Sequence, residues 1–316
     1  MKIVITDGYE LNPGDLGWTA IQSLGDVTYF DHTPKEEIAA RCNDAEIIIT
    51  NKTPIDAAQI QASKKLKLIS VIATGYNVID IDAAKKANVV VCNVPEYGTF
   101  SVAQHAISLL LELVNHVGIY SESVQAGDWT RYQRWSYLIK PLVELKDKTI
   151  GIVGFGKIGS QVATIAKAMG MNVIFTNRSP KVSDLGNQVS MEHLFEASDV
   201  ISLHCPLTSE NGGFVNHEYL SKMKSSAVLI NTSRGQLINE TDLAKALKEN
   251  VLAGAALDVL SVEPPPPDHP LIGVSNCIIT PHIAWSTFEA RSRIMDVTFE
   301  NIKRFLEGNP QNVVSG

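Results

Sequence analysis

The stretch that decides the fold is "TIGIVGFGKIGSQVATIAKAMG", Thr149 to Gly170, where glycines separate a β-branched run from a helix-length segment. Gly154, Gly156 and Gly159 have the spacing G-x-G-x-x-G. The first glycine allows a sharp turn, the second lets a pyrophosphate approach the backbone, and the third lets the helix pack on the strand. The helix N-terminus then offers N–H groups to the phosphates. The stretch therefore predicts a dinucleotide-binding unit rather than a glycine-rich turn of another kind.

The end of the following strand bears on which dinucleotide binds. An acid usually stands there and accepts a hydrogen bond from the ribose 2′-hydroxyl of NAD. This sequence has Asn177, followed by Arg178. Without a carboxylate a 2′-phosphate is not repelled, and Arg178 could pair with it. Alternatively, Arg178 points into solvent and Asn177 still binds the ribose, so the sequence predicts NAD or NADP and leaves the preference open.

Short β-branched runs alternate with helix-length segments along the chain, which predicts the α/β class with parallel sheets covered on both faces. In the first third, strands are expected at 2–6, 27–30, 46–50, 68–71 and 89–91. From the glycine loop onward, they are expected at 149–153, 172–176, 199–204, 227–231, 253–259 and 277–280. Six parallel strands are the number in a complete doubly wound dinucleotide fold.

The length of 316 residues exceeds one ordinary core and predicts two domains. We expect a Rossmann NAD(P)-binding domain over 99–285, inserted in a flavodoxin-like substrate domain over 1–98 plus 286–316. A long helix over about 99–118 is expected to bridge the two. The final amphipathic segment is expected to return to the first domain.

Composition narrows the class of protein. Apolar residues make up 45% and charged residues 19% of the chain, as in globular domains. The net charge of −7 argues against a nucleic-acid partner. Four widely spaced cysteines, without CxxC or CxxH spacing, argue against zinc and disulfides, so no metal is expected. The N-terminus reads directly into a strand, and the apolar run near 102–118 contains polar residues, which together predict a cytoplasmic protein without a membrane span.

Polar residues follow three consecutive expected strands. Arg234 lies in "NTSRG", Glu263 in "LSVEP" and His282 in "PHIAW". Because ligands of open α/β sheets bind beyond the carboxyl ends of the strands, these side chains are expected beside the nicotinamide. His282 is then suited to exchange a proton during hydride transfer, Glu263 to favour its imidazolium form, and Arg234 to bind a carboxylate. A lone histidine is most often structural, but placement with the other two residues favours catalysis.

A further expected turn lies in the first domain, where "SVIATGYN" places Thr74, Gly75 and Tyr76 beyond a strand end. Exposed backbone N–H groups in such a turn could hold a carboxylate. An ordinary βα turn is the alternative, and position alone does not decide between the two.

The chain resembles the D-isomer-specific 2-hydroxyacid dehydrogenases over most of its length. The matching motifs are "ATGYNVIDIDAAKKANVVVCNVP", "SVAQHAISLLL", "LKDKTIGIVGFGKIG", "LHCPLT", "LINTSRGQLINE", "LAGAALDVLSVEPPPPDHPL" and "ITPHIAWST". Several are long and follow in order, so the resemblance is specific. It implies an NAD(P)-dependent oxidoreductase that interconverts a small 2-oxo acid and its D-2-hydroxy acid, with Arg234, Glu263 and His282 as catalytic residues.

The resemblance also implies the residues that bind cofactor and substrate. Beyond the three glycines, the implied cofactor contacts are Lys157, Ile158, Asn177, Arg178, Cys205, Pro206, Thr232, Ser233, Arg234, Asp258, His282 and Thr99. The implied substrate contacts are Thr74, Gly75, Tyr76, Arg234, His282 and Trp285. Asn177 departs from the usual acid, and Trp285 stands where many relatives carry glycine, which implies a narrow pocket.

Within the family, "PHIAWST" and "ATGYN" are most similar to the glycerate dehydrogenases, also called hydroxypyruvate reductases. This branch implies hydroxypyruvate or glyoxylate as substrate, giving D-glycerate or glycolate. It also implies a homodimer in which Trp135, in "RYQRWSYLIK", reaches the partner's active site. The alternative is an aromatic that packs on its own domain. A second hypothesis for the whole chain is an NADH-sensing, corepressor-like binding protein with weak activity.

Overall fold

The computed structural model describes residues 1–315, which form two compact units. One comprises Met1–Gly98 and Ser286–Gly316, and the other comprises Thr99–Trp285. Gly316, the last residue of the expected substrate domain, lies outside the described residues. Each unit is an α/β structure built on a parallel sheet.

The first unit has a sheet with flavodoxin-like topology. Its strands are β1 (Lys2–Ile5), β2 (Asp26–Tyr29), β3 (Ile47–Thr50), β4 (Leu68–Val71) and β5 (Val90–Cys92). Its helices are α1 (Thr19–Gln22), α2 (Ile38–Cys42), α3 (Ala57–Ala62), α4 (Ile81–Lys86) and α12 (Phe288–Leu306). The strand order is β2-β1-β3-β4-β5, with parallel neighbours. Strands β3 and β4 are buried at every residue because helices cover both faces, which explains their continuous apolar runs.

The last helix, α12, belongs to the first unit and packs on β4. Arg291, on its buried face, makes a bidentate ion pair with Asp15 at 2.6 Å and donates to the carbonyl of Leu11. Asn301, which is also buried and lies nearer the end of the same helix, donates to the carbonyl of Asn93. These polar contacts fix the C-terminal helix against loops that precede it by more than 200 residues.

The second unit has the strand order of a dinucleotide fold. Its strands are β6 (Thr149–Val153), β7 (Asn172–Thr176), β8 (Asn187–Gln188), β9 (Val200–Leu203), β10 (Val228–Asn231), β11 (Gly254–Leu257) and β12 (Cys277–Ile279). Its helices are α5 (Thr99–Asn115), α6 (Val117–Gln125), α7 (Asp128–Tyr132), α8 (Lys157–Ala168), α9 (Met191–Ala197), α10 (His217–Lys222) and α11 (Glu240–Lys248). The order β12-β11-β10-β9-β6-β7-β8 contains the 3-2-1-4-5-6 arrangement. The expected two doubly wound sheets are therefore confirmed.

Strand β8 was not expected from the sequence. It consists of two exposed polar residues that pair in parallel with Ile174 and Phe175 of β7. A pair of residues carries no periodic pattern, and its side chains give no burial signal. The prediction of six strands in this unit was therefore one short.

The expected continuous helix over 99–118 was also wrong. Helix α5 ends at Asn115, because His116 adopts a left-handed conformation with φ of 51°, and α6 begins at the next residue. The two axes are bent by 58°. Among the described residues no single helix meets the length and apolarity of a membrane span, although this bent pair meets both criteria when its two parts are taken together.

Candidate active site

The glycine loop follows β6 and leads into α8. Gly154 has φ of +94°, and a Cβ built on it would lie 2.5 Å from the backbone nitrogen of Cys205. A Cβ on Gly159 would lie 2.3 Å from the carbonyl oxygen of Gly154. Both positions therefore require glycine for reasons internal to the protein, namely a left-handed turn and the close packing of helix on loop.

Gly156 has no such internal reason. Its φ of −83° is open to any residue, and a Cβ there would meet no protein atom within 4 Å. It is the N-cap of α8, so the space beside it faces the N–H groups of the helix N-terminus. A glycine kept beside empty space at a helix N-terminus fits a phosphate group that approaches the backbone. The loop therefore fits the dinucleotide that its sequence predicted.

An aromatic pair and a lysine hold this loop in place. Phe155, between the first two glycines, is buried and stacks on Phe175 of β7 with ring centroids 3.9 Å apart. Lys181 donates from Nζ to the carbonyl of Phe155 at 2.7 Å. Sequence reasoning missed both residues, since a phenylalanine inside a glycine motif and a lysine in a loop give no pattern of their own.

The segment after β7 contains the residues expected at the adenosine ribose. Asn177 is half-buried and donates to the carbonyl of Ser179 at 3.3 Å, whereas Arg178 is exposed. The side chain of Gln188, in β8, donates to the carbonyls of both Asn177 and Ser179. Strand β8 thus fixes this segment through Gln188. The hydrogen bond from Lys181 to Phe155 ties the same segment to the glycine loop. The structure places two cations, Arg178 and Lys181, in the segment that lacks the usual acid.

The end of β9 lies against the glycine loop through His204 and Cys205. His204 is half-buried, its Nε2 lies 2.8 Å from the hydroxyl of Ser202, and its buried Nδ1 has no partner among the described residues. Burial lowers the pKa of His204 to about 4, so the ring is neutral. Cys205 and Pro206 follow it at the carboxyl edge of the sheet, where the sequence placed cofactor contacts.

Arg234 is presented by a turn that follows β10. The side chain of Asn231 accepts hydrogen bonds from the backbone and hydroxyl of Ser233, and donates to the carbonyl of Arg234. Thr232, in the same turn, is buried, and its hydroxyl has no partner among the described residues. The guanidinium of Arg234 is exposed and donates one hydrogen bond, to the carbonyl of Ser233 at 2.7 Å. The remaining guanidinium donors suit an anion.

Glu263 lies in the loop after β11, and hydrogen bonds fix both its side chain and the loop itself. Its Oε1 accepts from the backbone N–H of Leu260 at 3.0 Å. The same loop is tied down by Glu240 of α11, which accepts from the backbone and hydroxyl of Ser261 and lies 3.1 Å from Nε2 of the buried His269. Glu240 and His269 gave no functional signal in the sequence, because their role depends on a loop that folds back on α11.

His282 follows β12 and forms an ion pair with Glu263. Its Nδ1 lies 2.6 Å from Oε2 of Glu263, and the two side chains are 28% and 33% exposed. A carboxylate on Nδ1 sets the orientation of the ring and leaves Nε2 on the opposite side. The carboxyl ends of the parallel neighbours β10, β11 and β12 share one edge. The structure therefore brings Glu263 and His282 together, with Arg234 on the adjoining strand end.

Asp258 joins β11 to the turn that carries His282. Its side chain is fully buried and accepts from the hydroxyl of Thr280 at 2.6 Å and from the N–H groups of Ile283 and Ala284 at 2.9 and 2.8 Å. Burial acts to raise the pKa of Asp258, but hydrogen bonds from His105, Thr280 and these N–H groups outweigh it and lower the pKa. Both carboxylate oxygens of Asp258 accept hydrogen bonds within the protein. The expected direct contact of Asp258 with the cofactor stays a prediction.

The remaining expected residues lie at the ends of elements. Lys157 and Ile158 open α8, Thr99 opens α5, and the half-buried Trp285 ends the second unit. In the first unit, Thr74 donates to the carbonyl of Val94 and accepts at its own carbonyl from Asn93, which fixes the turn that contains Gly75 and Tyr76. The roles of these residues in binding stay predictions.

Comparison with known proteins places the site in a family context. The NAD binding domain of the D-isomer specific 2-hydroxyacid dehydrogenases matches residues 107–284. A hydroxypyruvate reductase of Blautia hydrogenotrophica is 44% identical over all of both chains, and a glycerate dehydrogenase of Methylorubrum extorquens is 38% identical over 88% of each. The structure of an acyclic imino acid reductase in complex with NADPH and D-Arg is 36% identical, with a TM-score of 0.84 over 99% of this chain and all of that one.

The environment of Gly156 yields a test of dinucleotide binding. We expect Gly156→Ala to lower the free energy of unfolding by no more than about 1 kcal/mol, because the methyl group meets no protein atom and the remaining cost is a poorer N-cap. The same methyl group should raise the Kd of NADH and NADPH, measured by fluorescence titration, about tenfold or more, because it fills the space of the pyrophosphate. Gly159→Ala is the control and should instead destabilise the fold. Unchanged cofactor binding in Gly156→Ala would contradict this assignment.

Proposed function

The chain belongs to the D-isomer specific 2-hydroxyacid dehydrogenase family, and from this premise we propose that it reduces hydroxypyruvate or glyoxylate with NAD(P)H. The protein is an NAD(P)-dependent oxidoreductase of D-2-hydroxy acids. The proposed products are D-glycerate and glycolate. The observation that carries the proposal is the 2.6 Å pair of His282 and Glu263 at the sheet edge that also bears the glycine loop.

The three polar residues divide the work of the proposed reduction. Arg234 binds the carboxylate of the 2-oxo acid and polarises the adjacent carbonyl. Bound NAD(P)H supplies the hydride that reduces C2. His282 donates a proton from Nε2 to the forming alkoxide, and Glu263, bonded to Nδ1, keeps the ring oriented. Exchange of a proton at each turnover accounts for the presence of the carboxylate partner.

The choice of a small substrate rests on similarity and on one residue. The two relatives described above are named for hydroxypyruvate and glycerate. Trp285 directly follows the turn of His282, and an indole at that position supports a pocket for two- and three-carbon acids. Both relatives are enzymes by name, so the NADH-sensing alternative is not retained. The imino acid reductase relative makes a C=N substrate the competing possibility.

The first test combines a substrate panel with one substitution. We expect initial rates with hydroxypyruvate and glyoxylate to exceed those with branched 2-oxo acids. His282→Gln, which preserves size but cannot act as an acid, should lower kcat about a thousandfold or more. His193→Gln, at an exposed position of α9, is the matched control. Near-normal turnover by His282→Gln, or reduction only in the presence of an amine, would contradict the proposal.

Cofactor preference is a separate proposal. We propose that NADPH is accepted, because the segment at the adenosine ribose carries Arg178 and Lys181 and no acid at position 177. Its exposed side chain leaves Arg178 able to pair with a 2′-phosphate.

The test compares two substitutions that should each shift cofactor preference away from NADPH. Arg178→Ala should raise the KM for NADPH about tenfold and leave that for NADH within about twofold, since one charge-assisted contact is lost. Asn177→Asp should shift preference toward NADH, because it restores a carboxylate that repels the 2′-phosphate. Steady-state kinetics with both cofactors provide the measurement. An equal effect of Arg178→Ala on both cofactors would mean that this arginine does not distinguish them.

We further propose a homodimer. Large apolar side chains are exposed along one segment of the second unit, namely Trp129, Tyr132, Trp135, Leu138, Ile139, Leu142 and Val143. A contiguous apolar segment at the surface marks an interaction site. Trp135 is 98% exposed, so it does not pack on its own unit as the alternative interpretation requires. A second copy of the chain is the proposed partner, with Trp135 contributing to the partner's active site.

Two variants separate assembly from catalysis. Sedimentation should give twice the mass of one chain for the wild type. The double change Leu138→Ser, Leu142→Ser should produce monomers. Trp135→Ala should remain dimeric and lower kcat/KM about tenfold, because only the tip of the segment changes. Val182→Ala, at another fully exposed apolar residue, is the control. A monomeric wild type would refute the proposal.

The cellular setting completes the proposed function. All four cysteines are free thiols, and two of them, Cys42 and Cys92, are buried. Free thiols fit a reducing compartment, and we place the protein in the cytoplasm. The net charge of −7 supports a small-molecule substrate rather than a nucleic acid as its partner.

A further inference from the structure

His105 lies on α5, outside the three strand ends, and reaches the base of the catalytic turn. Its Nε2 is 3.1 Å from the hydroxyl oxygen of Thr280 and 3.4 Å from Oδ1 of Asp258. Thr280 in turn donates to Oδ1 of Asp258 at 2.6 Å. We propose that His105 is a positioning residue for the reaction, which acts through Thr280 and Asp258 on the turn that carries His282. This inference rests on the proposed function.

The proton on His105 follows from the groups around it. The hydroxyl proton of Thr280 is committed to Asp258, so the oxygen of Thr280 can only accept from His105. The carboxylate of Asp258, with its lowered pKa, also accepts only. Nε2 of His105 therefore carries a proton and donates to the oxygen of Thr280, with Oδ1 of Asp258 3.4 Å away. The ring thus places an N–H donor from a helix beside a carboxylate whose hydrogen-bond donors come from the strand-end turn.

The turn needs this support because of the backbone at His282. Its φ of +55° is left-handed, a conformation that disfavours a residue with a side chain and persists only where neighbours hold it. The next two N–H groups, of Ile283 and Ala284, bond to the carboxylate of Asp258, and the N–H of His282 bonds to its carbonyl at 2.8 Å. Asp258 therefore sets the direction in which the His282 side chain leaves the backbone.

The burial of Asp258 makes the contribution of His105 significant. A carboxylate removed from water is stable only when charge-assisted or multiple hydrogen bonds replace its hydration. The side chain of Asp258 is fully buried, while His105 is 22% exposed. Loss of the His105 donor removes the hydrogen bond to Thr280 and the imidazole beside Oδ1 of Asp258, and the expected response is rotation of Thr280 or entry of water beside the buried carboxylate. Either response shifts the N–H groups of Ile283 and Ala284, and with them His282 relative to Glu263.

The experiment compares His105→Phe, which keeps a ring but removes both nitrogens, with His105→Gln, which restores an N–H donor near Nε2. With hydroxypyruvate, or whichever 2-oxo acid the wild type reduces best, we expect His105→Phe to lower kcat about tenfold and change the KM within about twofold. The deuterium isotope effect on kcat, with cofactor labelled at the transferred hydrogen, should increase, because misplacement of His282 slows the chemical step. His105→Gln should recover most of the rate.

The isotope effect separates positioning from simple loss of folded enzyme. A smaller active fraction lowers the rate without changing the isotope effect. A second readout needs no substrate: amide exchange at Ile283 and Ala284 should be faster in His105→Phe than in wild type and near normal in His105→Gln. Thr280→Val tests the route, and its effect on kcat should not add to that of His105→Phe, since both act through Asp258.

The outcomes distinguish this inference from the proposed function. Wild-type reduction of a 2-oxo acid, and its loss in His282→Gln, concern the proposed function alone. Wild-type kcat, isotope effect and amide exchange in His105→Phe would overturn the positioning role whatever the substrate is. Additive effects of the His105 and Thr280 variants would also overturn it, because they would show two independent routes. Slowed turnover with a raised isotope effect, rescued by glutamine, would support it.

Discussion

The parallel order of β10, β11 and β12 is the constraint on which the site depends. Because neighbouring parallel strands end at one edge, the residues that follow them share a small space although they are far apart in sequence. Glu263 and His282 meet at 2.6 Å for this reason. The glycine loop follows β6 at the same edge, so the strand order alone brings the proposed phosphate site to the same edge as the pair of Glu263 and His282. The loops that follow these strands then determine only the direction in which each side chain points.

The sequence was most informative where a local pattern has one physical cause. The glycine spacing predicted the turn at Gly154 and the open space beside Gly156, since each follows from backbone sterics and helix capping. The pairing of Glu263 with His282 was predictable because strand succession in a doubly wound sheet determines which ends are neighbours. Two features that have no repeated sequence pattern were not predicted. One is the two-residue strand β8. The other is the end of a helix at His116, whose left-handed φ interrupts a helix that the spacing of apolar residues predicts to continue.

The supporting residues could not be derived from the sequence for a different reason. His105 and Thr280 are separated by 175 positions, and nothing local to either one indicates the other. Likewise, Glu240 touches the Glu263 loop only because that loop folds back on α11. Contacts of this kind depend on tertiary packing rather than on propensity or spacing. The sequence therefore predicted which side chains meet at the strand ends, but not the residues that hold them in place.

The carboxylate paired with His282 and the supporting carboxylate also differ in burial. Glu263 and His282 remain about one third exposed, as the proposed exchange of a proton with solvent between turnovers requires. Asp258 has no exposed side-chain surface, and its charge is instead met by donors from two backbone amides, a hydroxyl and an imidazole. A carboxylate in that setting is rigid but cannot easily titrate. Such a rigid carboxylate holds the turn that carries His282 in one position.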